Sequence, residues 1–384
     1  MVNRKRLGDT FIQLVGIDSI SKEEGNLCKK LKSIFESMGA ETFVDNAGKI
    51  IGGSTGNLIA RFKGNVKAPP ILLNAHMDTV EPGKGITATL KDGIFTSEGN
   101  TILGADDKSA IAILLETIHV LNENDLPYGP IELVLTVCEE IGLLGAKHLD
   151  LDFITASYGY ALDATDTEGI VTRAPSANRL EFKVHGKDAH AGAAPEKGIN
   201  AISLASKAIA PLELGRIDHE TTCNIGVIEG GRAINIIPNL VTVKGEVRSH
   251  DPEKLKIVTD KIVSSFYEIV EKYQTKSTDY SVPRLESKIE KDFSHTHIPD
   301  DHPVVKIAKK AAKNLGREMV AKTTGGGADA NIFFENSIVV GVLGTGMRDM
   351  HTVRESVALG DMVQSTELLL EIIKLHSSDY ELID

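Results

Sequence analysis

Apolar residues recur along this chain with two different spacings. Over 2–15 and 22–38 they return every three to four positions, the period of an amphipathic helix. Ser21 stands where an N-cap belongs, and Gly39 where a left-handed residue ends a helix. Short strand-like runs follow at 41–44, 57–62 and 70–75. The polar, glycine-rich stretch 81–100 predicts a loop and hairpin that turns at Lys91-Asp92-Gly93. A helix is expected over 107–121, with Ile111, Leu114, Leu115 and Ile118 on one face. Two further apolar runs, 131–137 and 157–162, end on acidic residues. Strands that alternate with helices, with carboxylates at the strand ends, predict an α/β fold. Its sheet should be open, mostly parallel and flanked by helices, with the site along one rim.

The texture changes after about residue 170. Strands are expected over 178–184, 221–228, 239–249 and 277–285, with helices over 200–210 and 252–272. The order βαββαβ is that of a ferredoxin-like unit. Helical spacing returns at 302–315, an apolar strand at 338–342, and a last helix at 356–375. The expected organisation is an α/β domain built from 1–174 and 292–384, interrupted by a smaller domain over 175–291.

Composition narrows the functional classes. The 384 residues carry a formal net charge of -12 and no cluster of Lys and Arg, which argues against nucleic acid and anionic membranes as partners. No run approaches the roughly 20 apolar residues of a membrane helix. Cys28, Cys138 and Cys223 are odd in number and far apart, a pattern that fits a reducing compartment, so the expected location is cytoplasmic.

Five short patches carry the candidate chemistry: His76-Met77-Asp78, Asp106-Asp107, Glu139-Glu140, Asp163 and His351. Isolated carboxylates at the ends of buried strands are too costly to desolvate, and divalent cations are the natural partners. Each patch alone has a plainer explanation. His76 can hydrogen-bond to Asp78, Asp107 can favour a helix N-terminus, and Glu139-Glu140 can be a solvated strand end. Adjacent glutamates repel unless a cation or shared proton intervenes, so one can bind metal while its neighbour serves as general base. Together the patches hold more carboxylates than one ion needs, which points to two ions and hydrolysis. Gly142 and Gly145 mark tight backbone packing beside them. The stretch Gly325-Gly326-Gly327-Ala328-Asp329-Ala330-Asn331 lacks the ending of a nucleotide loop and is expected to face substrate.

The series His76-x-Asp78, Gly104-Ala105-Asp106-Asp107-Lys108, Glu139-Glu140-Ile141-Gly142, Asp163 and His351-Thr352-x-x-Glu355 resembles the motifs of the M20 family of two-zinc metallopeptidases. Within it the chain most resembles the peptidase T, or tripeptidase, branch, over nearly its whole length. The resemblance implies that His76, Asp106 and Asp163 hold one zinc, while Asp106, Glu140 and His351 hold the other. Cobalt or manganese are alternative metals. It also implies that Asp78 orients His76 and that Glu139 moves a proton from the bridging water to the leaving amine. The Asp106–Asp107 peptide bond is cis in such families.

In the inserted lid, His190 resembles a residue that steadies the oxyanion, and Arg248 one that grips a substrate carboxylate. Asn235 resembles a further substrate contact. The implied substrate is a short peptide losing its N-terminal residue, and a homodimer through the lid is implied as well. Peptidase T usually carries His-Pro-Gly where this chain has His190-Ala191-Gly192. An N-acyl amino acid amidohydrolase or a dipeptidase therefore stays open as an alternative, with a non-catalytic metal-dependent binding protein a more distant one.

Overall fold

The computed structural model describes residues 1–274 and 281–378. The chain divides into two units, residues 1–173 with 297–323 and 328–384, and residues 174–296 with 324–327.

In the first unit, Ile71–His76 lies between Ile131–Thr136 and Tyr158–Ala164, parallel to both. Val339–Gly344 extends this parallel set beside Tyr158–Ala164. Leu58–Phe62 and Glu41–Val44 continue the opposite edge antiparallel. Gly169–Ala174, a strand the apolar pattern does not predict, pairs antiparallel with Val339–Gly344 and parallel with Val320–Thr323.

Successive side chains of the central strands enter different cores. Leu73, Leu133 and Leu135 pack with Phe11, Leu31, Ile111, Ile307 and Leu369 from five helices. Leu72, Val134 and Val342 pack with Leu149, Phe333 and Ile338. Strands buried on both faces have no polar side to present, which is why they read as unbroken apolar runs.

Two helix starts differ from expectation. The second helix is Gly25–Ser37, and its cap residue Glu24 makes no side-chain cap bond. Ser21 is committed elsewhere, because its hydroxyl donates to Asp78 Oδ2 at 2.6 Å. The last helix is Leu359–Ser378, and the residues before it form the strand Ser356–Ala358, paired with Ile94–Ser97. That second strand forms the expected hairpin with Ala88–Lys91, its turn made by Asp92 and Gly93 at φ 51° and 81°. Gly39 is left-handed as expected, at φ 92°.

The second unit has the βαββαβ order. Its sheet runs Gly215–Arg216, a two-residue edge strand outside that order, then Thr221–Gly230, Leu240–Ser249, Ser176–His185 and Arg284–Phe293, every neighbour antiparallel. Leu180, Phe182 and Val184 point inward to Ala201–Ile209 and Pro252–Gln274, and Phe182 stacks on Phe266 with centroids 4.2 Å apart. Of the strand expected over 277–285, residues 277–280 lie outside the described residues, and the observed strand starts at Arg284. Among the described residues, no helix is long and apolar enough to cross a membrane.

Candidate active site and metal centre

The parallel strands deliver their C-terminal ends to one edge of the sheet, where open α/β sheets place their sites. His76 is the last residue of Ile71–His76, and Asp163 lies near the end of Tyr158–Ala164. Glu139 and Glu140 follow Ile131–Thr136, and Asp106 opens Ala105–Glu123 with non-helical backbone angles. His351 sits at φ 62° in the turn between Met347–Arg348 and Ser356–Ala358.

These residues, far apart in sequence, meet in space. His76 Nε2 lies 3.0 Å from Asp106 Oδ1. His351 Nε2 lies 3.2 Å from Asp106 Oδ2 and 3.0 Å from Glu140. His76, Asp106 and Glu140 each offer one donor atom within 4.8 Å of the others, and so do Asp106, Asp107 and Asp163. Asp106 therefore belongs to both groups. The Asp106–Asp107 bond is cis.

The electrostatics follow from this crowding. Burial opposes a charged Asp106, yet the imidazoles of His351 and His76 outweigh it and hold the carboxyl well below the usual range. Hydrogen bonds to Asp106 and Glu140 push the His351 pKa up to about 10. Burial pushes Asp163 well above the ordinary carboxylate value, with the charge of Asp106 adding to it. Burial likewise raises Glu139 well above its ordinary value; Asp163, Asp329 and Glu140 add to the shift and His76 opposes it. Asp107 keeps Oδ1 buried without a hydrogen-bond partner. This cluster is short of positive charge.

A frame of buried acceptors holds the donors in place. Asp78 Oδ1 accepts the Glu139 N–H at 2.9 Å, and Oδ2 accepts the Glu140 N–H at 3.2 Å. His76 Nδ1 meets the main-chain oxygen of Asp78 at 3.0 Å and its carboxylate at 3.5 Å. Asp107 Oδ2 accepts the His76 N–H at 3.1 Å, so this side chain braces a strand rather than capping its helix. Glu355 accepts from the N–H groups of Leu103, Gly104 and Asp106 at 2.8, 2.7 and 2.9 Å. Asp329 is buried beside Thr136 and Asn74, both of which donate to its Oδ2, while Oδ1 has no partner. Sequence spacing suggested no role for Glu355 or for Asp329 by itself. Glu355 stood in the motif series without a part of its own, and Asp329 only within the glycine-rich stretch expected to face substrate.

The three residues expected in the inserted domain lie in the second unit. His190 bridges antiparallel to Ile236, and the Ala191 N–H donates to Asn235 O at 2.9 Å, so His190 and Asn235 are brought together. The His190 ring is oriented by the N–H groups of Gly192 and Ala193, which donate to Nδ1 at 3.2 and 3.1 Å. Arg248 lies on the strand Leu240–Ser249 and donates to Gly325 O at 3.3 Å and Glu246 Oε2 at 3.0 Å. Its Nε is buried without a hydrogen-bond partner.

An acidic two-part donor set on the rim of an α/β sheet is the signature of a metal-dependent hydrolase, and comparison with known proteins sharpens the class. Residues 57–171 match the model of peptidase family M28, and residues 175–274 match the peptidase dimerisation domain of M20 enzymes. The chain is 42% identical over 375 residues to an uncharacterised Bacillus subtilis protein, YqjE, covering 97% of this chain and 99% of that one. It is 30% identical over 323 residues to peptidase T of Fusobacterium nucleatum, covering 82% and 75% respectively. Among solved structures, aminopeptidase PepT from Bacillus cereus matches with a TM-score of 0.87 and 39% identity, over 98% of this chain and 100% of that chain. A tripeptidase from Staphylococcus aureus matches with a TM-score of 0.88 and 36% identity, over 98% and 99%. The protein is a metal-dependent exopeptidase. It belongs to the M20 family and, within that family, is peptidase T-like.

Proposed function

We propose that this chain removes the N-terminal residue from short peptides, tripeptides above all, using two divalent cations held on the sheet rim. The observation that carries this reading is the sharing of Asp106 between two donor groups. The crowding of His76, Asp106, Glu140 and His351 at 3.0–3.2 Å and the buried, unpartnered Asp107 Oδ1 support the metal fit. Divalent cations meet this cluster's demand for positive charge, and mixed imidazole and carboxylate donors suit zinc, with cobalt or manganese able to substitute.

By the family resemblance, one ion would be held by His76, Asp106 and Asp163, and the other by Asp106, Glu140 and His351. This partition shares Asp106 with the two donor groups but differs from them in grouping His76 with Asp163 rather than with Glu140. When bound, the pair lowers the pKa of water and polarises a scissile carbonyl. In this reading Glu139 is assigned to neither ion and serves as the general base, its position beside Glu140 after the strand Ile131–Thr136 supporting the part. It takes the proton of the attacking water and returns it to the leaving amine. Asp78 orients His76 and fixes the backbone of Glu139 and Glu140.

For the substrate, we assign His190 to the developing oxyanion, Arg248 to a peptide carboxylate and Asn235 to a polar contact. The unpartnered Nε of Arg248 supports its part, since a guanidinium fork suits a carboxylate. In this reading the second unit is the lid, and its match to a dimerisation domain supports a homodimer through it. Three buried free thiols support a reducing, cytoplasmic setting.

The test is a panel of di-, tri- and tetrapeptides with free and blocked termini, together with N-acyl amino acids. It is run with zinc, cobalt or manganese and again after chelation. Metal-dependent release of the N-terminal residue from free tripeptides is expected. Turnover of N-acyl amino acids in preference to peptides would replace the peptidase assignment.

A further inference from the structure

Glu24 is a fully buried carboxylate to which the roles given above assign no part. It belongs to an N-terminal stretch, 19–24, that carries no metal donor and resembles no motif in the series above. This stretch runs beside the residues that follow His76. Ser19 Oγ donates to Met77 O at 2.8 Å, the Thr79 N–H donates to Ser19 O at 3.0 Å, and Ile20 forms a parallel bridge with Thr79. Ser21 then reaches Asp78 Oδ2 through its hydroxyl.

Glu24 completes the frame from the other side. Its Oε1 accepts the Lys22 N–H at 3.0 Å, the Cys138 N–H at 3.0 Å and the Cys138 thiol at 3.3 Å. Lys22 and Cys138 are both left-handed, at φ 77° and 54°, a conformation that is uncommon in residues other than glycine and is held by surrounding contacts. Asp78 accepts the next two N–H groups, those of Glu139 and Glu140. Three consecutive amides, 138 to 140, are thus held by two buried carboxylates.

From this geometry we infer that Glu24 is a positioning residue, holding Cys138 left-handed so that Glu139 and Glu140 project into the metal centre. The inference rests on the roles proposed above for those two glutamates. Glu24 touches no reacting atom, and its effect passes through the backbone.

Substitutions that separate reach from charge test it. Glu24→Gln keeps an acceptor oxygen at the same reach, Glu24→Asp keeps the charge but withdraws it by one methylene, and Glu24→Ala removes both. With the zinc-loaded enzyme and trialanine, Glu24→Asp and Glu24→Ala are expected to lower kcat about 10- to 100-fold with much smaller changes in KM. Glu24→Gln should recover most of that loss. The folded fraction is measured by circular dichroism and bound metal by elemental analysis. If Glu24→Ala does not fold, the order of Glu24→Gln above Glu24→Asp decides. Parental kcat in all three variants, Glu24→Asp equal to or better than Glu24→Gln, or losses that only follow the folded fraction would each overturn the inference. Glu139→Ala serves as the control for the underlying reading. If it turns over normally, the base assignment fails, and Glu24 is then judged through Glu140 alone, by lower metal content in Glu24→Asp than in Glu24→Gln.

Discussion

The carboxylate of Asp78 grips the backbone of Glu139, its Oδ1 accepting the Glu139 N–H at 2.9 Å while Oδ2 takes the neighbouring Glu140 N–H. The side chain expected from sequence to partner His76 therefore has a second job, fixing the turn that presents the proposed base and one proposed metal donor. Asp78→Ala leaves these amides without their acceptor in a buried site. A loss of about 10- to 100-fold in kcat or in metal affinity is expected, the usual cost of removing such an outer partner. Steady-state kinetics with parallel metal titration check this, and unchanged values in both would contradict it.

Glu355 does the same for Asp106. Its two oxygens accept three N–H groups from the loop that delivers the shared donor. Glu355→Ala strips those acceptors and should destabilise the chain by about 1–3 kcal/mol or more, because buried amides lose their partners. Urea unfolding measures this term. Metal titration of the folded fraction should show weaker binding as well, since Asp106 is no longer anchored.

Some of this was legible in sequence and some was not, for physical reasons. His76, Glu139, Glu140 and Asp163 stood out because charge at the end of an apolar run is anomalous wherever that run lies, and Asp106 because it follows a small, apolar stretch. Gly145 stood out too, and a Cβ there would lie 2.2 Å from Val137 O. The frame was not legible. Glu24, Ser21 and Glu355 act through hydrogen bonds to segments 57 to 252 positions away, and no local period records such a pairing. Ser21 was misread as a helix cap because capping and long-range donation use the same hydroxyl. The strand Ser356–Ala358 merged into the following helix because three residues are too few to show alternation.

His376 links the last helix to the sheet and predicts a pH effect on stability. Nε2 donates to Pro69 O at 2.8 Å and Nδ1 lies 2.8 Å from Tyr158 Oη, where the neutral ring accepts the hydroxyl proton. Burial lowers its pKa below the ordinary value. The unfolded chain takes up this proton near pH 6.5, its ordinary pKa, while the folded chain resists it. The contribution is therefore complete above about pH 6.5 and fades as pH falls toward the depressed folded value, by at most about 1.4 kcal/mol per pH unit. His376→Phe should be less stable at neutral pH and show a flatter stability profile between about pH 6.5 and 5. Urea unfolding across that range checks it, and a parallel profile would contradict the assignment.

In the proposed mechanism Glu139 moves the proton while its neighbours hold the metal. The most direct measurement is the turnover of a free tripeptide by Glu139→Ala, together with its bound metal per chain. A fall in kcat of about 10²- to 10⁴-fold is expected, the range for a lost general base, with two divalent ions per chain retained. Near-parental turnover, or activity lost only in step with bound metal, would contradict it.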